Sequence, residues 1–345
     1  MDRPVIVTAY WASSALFKVV KIVHHNNIRS SLIGEKNRLS TKMATRIEPS
    51  IKVPREDTYM QNKRSSRALY KEIYNTLLPT FQDARACQAM TQQLLAHYFQ
   101  CDRVALIMEK DIVISSQKVA LLATAVQRLQ QHEPIQYVLG KAPFLGRDFQ
   151  VNTAVLIPRP ETEEMVQCIL QENERAGLRV LDIGTGSGCI AITLQQELQQ
   201  ATVHALEIDP KALAVAQANA QKLGASLQWL QADILQDILP DQQWDIIASN
   251  PPYVREKEQS HMHCRVLDFE PASALFVPDK QPLVFYERIA TLAPRYLTPS
   301  GKLYLEINEA FGTEVAHLLT EAGFKAINIS QDLNGKDRWV RGQLP

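Results

Sequence analysis

"VLDIGTGSGCIAITL", residues Val180–Leu194, runs from a short apolar stretch through three closely spaced glycines into a second apolar stretch. This reads as a buried strand, a tight loop and a helix. Glycine lets the loop turn sharply and lets a ligand approach the backbone closely. The same alternation continues downstream. Strands are expected at Arg179–Ile183, Val203–Ile208, Leu227–Gln231, Trp244–Ser249, Lys302–Ile307, Lys325–Ile329 and Arg338–Gln343. Helical patterns fill most of the gaps. "PKALAVAQANAQKLG" (Pro210–Gly224), for example, has proline in its first turn and glycine just past its end. Such alternation predicts an α/β fold, an open, mostly parallel seven-stranded sheet with helices on both faces. The last two strands are joined by "SQDLNGKD" (Ser330–Asp337), too short for a crossover helix, so they pair as an antiparallel hairpin.

Composition bounds the rest. The chain has 345 residues, enough for two domains, with 46% hydrophobic and 21% charged residues. Its formal charge is +0, which argues against extensive contact with a nucleic-acid backbone. Five scattered cysteines without a C-x-x-C pair speak for a reducing cytosol and against a disulfide framework or zinc site. His261-Met262-His263-Cys264 lacks a second ligand group at usable spacing and reads as a polar loop, so no metal is expected. No apolar run approaches a membrane span, and a cytoplasmic monomer is expected.

Four segments follow. Residues 1–62 form an extension without clear periodicity, read as disordered sequence or as a misassigned start with Met43 and Met60 as internal alternatives. An organellar transit segment is the third reading. Residues 63–133 are helical, with "RALYKEIYNTLL" (Arg67–Leu78), "ARACQAMTQQLLAHYF" (Ala84–Phe99) and "SSQKVALLATAVQRLQQ" (Ser115–Gln131) each presenting an apolar face. Residues 134–163 carry β-type spacing broken by Gly140, Pro143 and Gly146 and read as a hairpin linker. Residues 164–345 hold the sheet.

The glycine loop spells G-x-G-x-G, and Cys189 stands where the G-x-G-x-x-G dinucleotide fingerprint would place its third glycine. Gly184, Thr185, Gly186, Ser187 and Gly188 are expected to wrap a ligand. Asp182 at the strand end would repel a pyrophosphate and attract an ammonium group. Glu207 closes the next strand, where an acid can take ribose hydroxyls. Asp233 follows the third strand and either accepts from an adenine amine or caps the turn at Ile234. An acid for an ammonium, an acid for a ribose and an acceptor for adenine describe S-adenosylmethionine better than a nicotinamide dinucleotide.

After the fourth strand comes "ASNPPYV" (Ala248–Val254). Strand carboxyl ends are where open α/β sheets bind ligands, so Asn250-Pro251-Pro252-Tyr253 should face the glycine loop. The composition suits a planar –NH2 group, whose nitrogen lone pair is tied up by conjugation. Asn250 and the Pro251 carbonyl can accept its two hydrogens, while the prolines remove competing backbone donors and fix φ. Tyr253 would offer a flat face near the reacting carbon. Asn250 would also lie near the cofactor.

The glycine loop and the Asn-Pro-Pro-Tyr tetrapeptide resemble the motifs of Rossmann-like class I methyltransferases acting on planar nitrogens. "EPIQYVLGKAPFLGRDFQV" (Glu133–Val151), "LIPRPETE" (Leu156–Glu163), "DFEPASALFV" (Asp268–Val277) and "QDLNGKDRWVRG" (Gln331–Gly342) are similar to stretches of the peptide chain release factor glutamine N5-methyltransferases, the HemK/PrmC type. That resemblance covers roughly residues 64–342. It implies a helical N-terminal domain that recognises release factors, a hairpin linker, and transfer of a methyl group from S-adenosylmethionine to the glutamine of the GGQ tripeptide of class 1 release factors. It also implies that Gly184–Gly188 and Glu207 bind the cofactor and that Asn250–Tyr253 hold the glutamine. Arg159 and Glu161 would brace the linker. A nucleic-acid amino-methyltransferase and a non-catalytic partner-binding protein are the competing readings. The first would want a base-reading domain or basic face, and the intact motifs oppose the second.

Overall fold

Three helices form where their apolar spacing places them. In the computed structural model, which describes residues 62–332 and 334–345, α1 (Ser66–Phe81), α2 (Ala84–Phe99) and α4 (Ser116–Gln130) match the helical patterns of the sequence. Apart from Asn62, the extension expected over 1–62 lies outside the described residues. Side-chain oxygens of Ser65, Asp83 and Ser115 accept from the first-turn amides of these helices, satisfying donors that have no partner within the helix. Leu69, Ile73 and Leu77 line up at a four-residue spacing on the buried face of α1. Opposing them in this unit are buried Leu94 and Leu95 of α2 and Leu122, Val126 and Leu129 of α4. A short α3 (Arg103–Ile107) starts on an Asp102 cap.

Residues 63–133 are not purely helical, because β1 (Asn62–Ser65) pairs antiparallel with β2 (Asp111–Ile114). "DIVI" alternates exposed and buried positions, but four residues are too few for a period of two to stand out between helices.

The chain divides into two compact units, with the break between Ile135 and Gln136 inside the five-residue α5 (Ile135–Leu139). The second unit contains the hairpin of β3 (Lys141–Phe144) and β4 (Arg147–Gln150). It is followed by α6 (Pro160–Glu172), which starts inside "LIPRPETE" with proline at its first position, earlier than the expected end of the linker at 163.

Seven strands then form one sheet. In chain order they are β5 (Arg179–Ile183), β6 (Thr202–Glu207), β7 (Gln228–Gln231), β8 (Trp244–Ser249), β11 (Leu297–Glu306), β12 (Lys325–Gln331) and β13 (Asp337–Gln343). In space the order is β12-β13-β11-β8-β5-β6-β7, parallel except for β13, which runs antiparallel to both neighbours. Helices α7 (Cys189–Glu197), α8 (Pro210–Leu223), α10 (Val284–Tyr296) and α11 (Gly312–Glu321) connect the strands. Two-residue β9 (Val254–Arg255) and β10 (Phe276–Val277) flank α9 (Cys264–Phe269). This is the class I methyltransferase sheet that the motifs imply.

The continuous apolar runs have a simple cause. Val180, Val203 and Ile246 join α6 and α7 in one core, while their neighbours Leu181 and Ile247 join α10 and α11 in another. A strand with both faces covered must be apolar at every position. Strand β11 begins five residues earlier than expected, with a register shift between Leu297 and Lys302. A Cβ at Gly301 would lie 2.8 Å from the Thr298 carbonyl oxygen, so the glycine is what lets the strand bulge and continue. From β5 the chain winds one way to β6 and β7, and from β8 the other way to β11. The two strands pair side by side, so the switch point falls between their carboxyl ends.

Candidate functional site

At that switch point opens a cavity of about 310 Å³, within the range of small-molecule sites. Gly184, Thr185, Gly186 and Ser187 form one side, and Glu207, Asp233 and Ile234 extend it along the ends of β6 and β7. Asn250, Pro251 and Pro252 line it from β8. Three stretches far apart in sequence therefore converge because parallel strands all end at one rim.

The loop is held open by backbone bonds. Amides of Gly184 and Thr185 both donate to the Leu206 carbonyl at 2.9 Å. Gly186, at φ +55°, turns its amide to Glu207 Oε2 at 2.9 Å. Glu207 Oε1 accepts from the amides of Ile208 at 2.9 Å and Asp209 at 3.1 Å. Of roughly four lone-pair directions on a carboxylate, three are thus used. One remains for a ribose hydroxyl, and a second hydroxyl would have to displace the long Asp209 bond. The donor set fits an adenosyl group: an acid for the ribose, and apolar Ile234, Leu235 and Phe285 beside it for a flat base. Glu207→Ala is expected to weaken S-adenosylmethionine binding by about 10–100-fold, the value of one or two charge-assisted hydrogen bonds. Calorimetric titration checks it, and an unchanged Kd removes Glu207 from the cofactor site.

Asp233 serves mainly its own turn. Its Oδ1 accepts from the Leu235 amide at 2.9 Å and its Oδ2 from Gln236 Nε2 at 2.8 Å. Asp182 departs from the sequence reading. It is fully buried beneath the loop and does not line the cavity. Its Oδ2 instead accepts from the Thr185 hydroxyl at 2.6 Å. Gly188 also lies behind the cavity wall, packed against α8. Tyr253 is a third departure. It does not line the cavity; its hydroxyl donates to Glu306 Oε1 at 3.1 Å, and its carbonyl accepts from Asn308 Nδ2 at 3.2 Å. The half-buried ring packs against the core on that side of the sheet.

Thr162, Glu306 and Asn219 are side chains around the site that a sequence reading does not single out. Asn250 Nδ2 donates to Thr162 Oγ1 at 3.1 Å, and Thr162 Oγ1 donates to Glu306 Oε2 at 2.6 Å. Buried Asn219 on α8 donates to the carbonyls of Ser187 at 2.8 Å and Gln150 at 2.9 Å, joining the glycine loop to β4. Arg159 pairs with buried Glu270 at 2.6 Å, which fastens "LIPRPETE" to "DFEPASALFV" and holds Pro271, Ser273 and Ala274 at the cavity. The sole signals in the sequence were a carboxylate closing an apolar strand, Glu306, and a threonine inside a quoted motif.

Two buried acids carry unusual protonation. Burial pushes Asp182 up to about 7, with Glu207 adding to the rise and the Thr185 hydroxyl and Ala191 amide opposing it. Burial likewise pushes Glu306 up to about 7, opposed by the hydroxyls of Thr162 and Tyr253 and by Arg338, and assisted by Glu161. Their unfolded values lie near 3.8 and 4.5, so the folded chain holds protons that the unfolded chain has released. This contribution to stability is complete below the unfolded values and is lost as pH rises through about 7. Urea unfolding should therefore show a more stable cofactor-free protein at pH 6 than at pH 8, with a shallower dependence in Asp182→Asn/Glu306→Gln. Equal slopes in the two proteins would refute the assignment.

Among the described residues there is no cluster of ligating side chains for a metal, and no helix long and apolar enough to cross a membrane. His263 instead accepts from the Arg265 amide at 3.1 Å as the cap of α9.

Comparison with known proteins agrees with this architecture. The family described as "Methyltransferase small domain" matches residues 161–273, and "PrmC N-terminal domain" matches residues 80–140. The release factor glutamine methyltransferase of Bacteroides thetaiotaomicron is 45% identical over 252 residues, 73% of this chain and 90% of that protein. That of Flavobacterium psychrophilum is 40% identical over 276 residues, 79% of this chain and 97% of that protein. A methyltransferase crystal structure from Pyrococcus furiosus is similar at a TM-score of 0.44 and 17% identity, covering 58% of this chain and 89% of that one. With a cavity at the sheet's switch point and relatives of this similarity along nearly their whole length, the chain belongs to the release factor glutamine methyltransferase family.

Proposed function

We propose that this chain methylates the side-chain amide nitrogen of the glutamine in the GGQ tripeptide of class 1 release factors, using S-adenosylmethionine. The observation that carries this reading is the Asn250-Pro251-Pro252 edge. It lines the cavity beside the glycine loop, and two of its three residues bring no backbone N–H. A carboxamide placed there meets acceptors for both hydrogens. Asn250 and the Pro251 carbonyl would hold those hydrogens and turn the face of the nitrogen toward the cofactor. S-adenosylmethionine supplies a methyl group on a sulfonium, a good leaving group. The nitrogen needs no strong base beforehand, because its proton becomes acidic as the new N–C bond forms and is then lost to water. Catalysis on this reading is chiefly orientation.

Glu207 and Gly184–Ser187 would seat the cofactor, with Asp233 and Ile234 at its adenine end. Asp182 and Gly188 would support the loop from behind, and Tyr253 would brace the acceptor edge. Residues 63–133 are assigned to recognition of the release factor, and residues 134–163 to the linker. No metal takes part, no nucleic acid is contacted, and the protein acts as a cytoplasmic monomer.

The test uses labelled S-adenosylmethionine with a class 1 release factor, and with the same factor carrying Gln→Ala in its GGQ tripeptide. Label on the unaltered factor alone is the expected result. Label on both, or on neither, overturns the substrate assignment.

A further inference from the structure

The two faces of an asparagine amide are nearly the same shape but opposite in chemistry: one accepts and the other donates. A cradle for a donor –NH2 works only if Asn250 shows its oxygen. Something must choose that orientation, and the choice can be traced through the hydrogens. Glu306 is a buried carboxylate at the end of β11. Above about pH 7 it is the ionised acid, which only accepts. Its Oε1 takes the Tyr253 hydroxyl and its Oε2 takes the Thr162 hydroxyl, so it is anchored on both sides. The 2.6 Å separation to Thr162 is that of a short, charge-assisted bond. Thr162 owns a single hydroxyl hydrogen, and this bond consumes it. What Thr162 has left is a lone pair, which can pair only with a donor, and Asn250 Nδ2 fills that role at 3.1 Å. Oδ1 of Asn250 is then the atom left for the cavity that Asn250 lines.

We infer that Glu306 is a positioning residue that, acting through Thr162, dictates which face of the Asn250 amide meets the substrate. The inference rests on the reading above that Asn250 holds the target amide. Neither Glu306 nor the Thr162–Glu306 bond touches the reacting atoms. Their effect is to forbid the inverted orientation, in which Nδ2 would confront the substrate N–H groups donor to donor. Thr162 comes from the first turn of α6 and Glu306 from the far side of β8, so three separate segments agree on one hydrogen direction.

Three variants separate this from a merely structural role. Thr162→Val keeps the shape and removes the lone pair, so turnover should fall about tenfold or more with the cofactor Kd little changed. Thr162→Ser restores the hydroxyl and should recover most of that loss. Glu306→Gln is isosteric but can donate toward Thr162, which frees the Thr162 hydrogen to point at Asn250. Turnover should again fall about tenfold. In parallel, the Asn250 side-chain Nδ2 resonance of asparagine-labelled protein, assigned by its loss in Asn250→Asp, reports the bond without any methyl transfer. It should coincide in the unaltered protein and Thr162→Ser and move in Thr162→Val and Glu306→Gln. Full turnover in Thr162→Val, equal damage in Thr162→Ser, or an unmoved resonance overturns the inference. If the unaltered protein fails to methylate the release factor while the resonances move as expected, the substrate assignment falls and the relay stands.

Discussion

Asn250→Ala should cut turnover by about 10²–10³-fold, the cost of losing one preorganised polar group at a reacting centre. The alanine removes the acceptor for one substrate hydrogen and leaves the Thr162 lone pair without its donor at the cavity wall. The prolines still fix the backbone, so the Pro251 carbonyl should keep its place. Cofactor binding should change by less than turnover, because the glycine loop and Glu207 are tied by their own backbone bonds. Single-turnover kinetics with saturating S-adenosylmethionine, together with a cofactor Kd, give the two numbers separately. A variant that retains near-full turnover removes Asn250 from the mechanism. One that loses cofactor and turnover equally makes Asn250 a binding residue only.

The second large effect is on stability. Gly188→Ala should cost about 2–4 kcal/mol, the sum of left-handed backbone strain and overpacking. Gly188 sits at φ +82° as the cap of α7. A Cβ there would lie 2.9 Å from Ile192 Cδ1 and 3.3 Å from the Ala216 Cβ on α8. Ile192 is itself fully buried, so its tip can shift only within the core. Gly184→Ala is the control, because at φ +75° it carries the same strain yet a Cβ there meets nothing within 4 Å. Denaturant midpoints at unchanged m-value should place Gly188→Ala below Gly184→Ala by about 1–3 kcal/mol. Equal midpoints would mean that close packing of α8 on the loop is not what the glycine serves.

How much of this was legible beforehand depends on the range over which the cause acts. Strands β5 and β8 were read to the residue, since an apolar run bounded by glycine or proline carries its own limits. The same holds for the α2 boundaries. Where the chain bends around a long-range contact, the reading slipped. Strand β11 runs through Pro299-Ser300-Gly301, which in isolation spells a turn. The β1–β2 ladder joins segments almost fifty residues apart, and neither is long enough to declare itself. That Asn250 and Glu207 line the cavity is foreshadowed by their place at a strand end, which is a local property. That Asp182 and Tyr253 do not line it is not legible in the sequence, because a strand-end position does not say whether a side chain faces the cavity or the wall behind it.

The sequence by itself determined the α/β class, the seven strands and their antiparallel ending, the glycine loop and the proline-framed acceptor edge. Periodicity and chain stiffness are written residue by residue, so these needed no partner to be seen. Only the tertiary structure decided that Thr162 and Glu306 stand behind Asn250, because the direction of a hydroxyl hydrogen is set by neighbours 88 and 144 positions away along the chain.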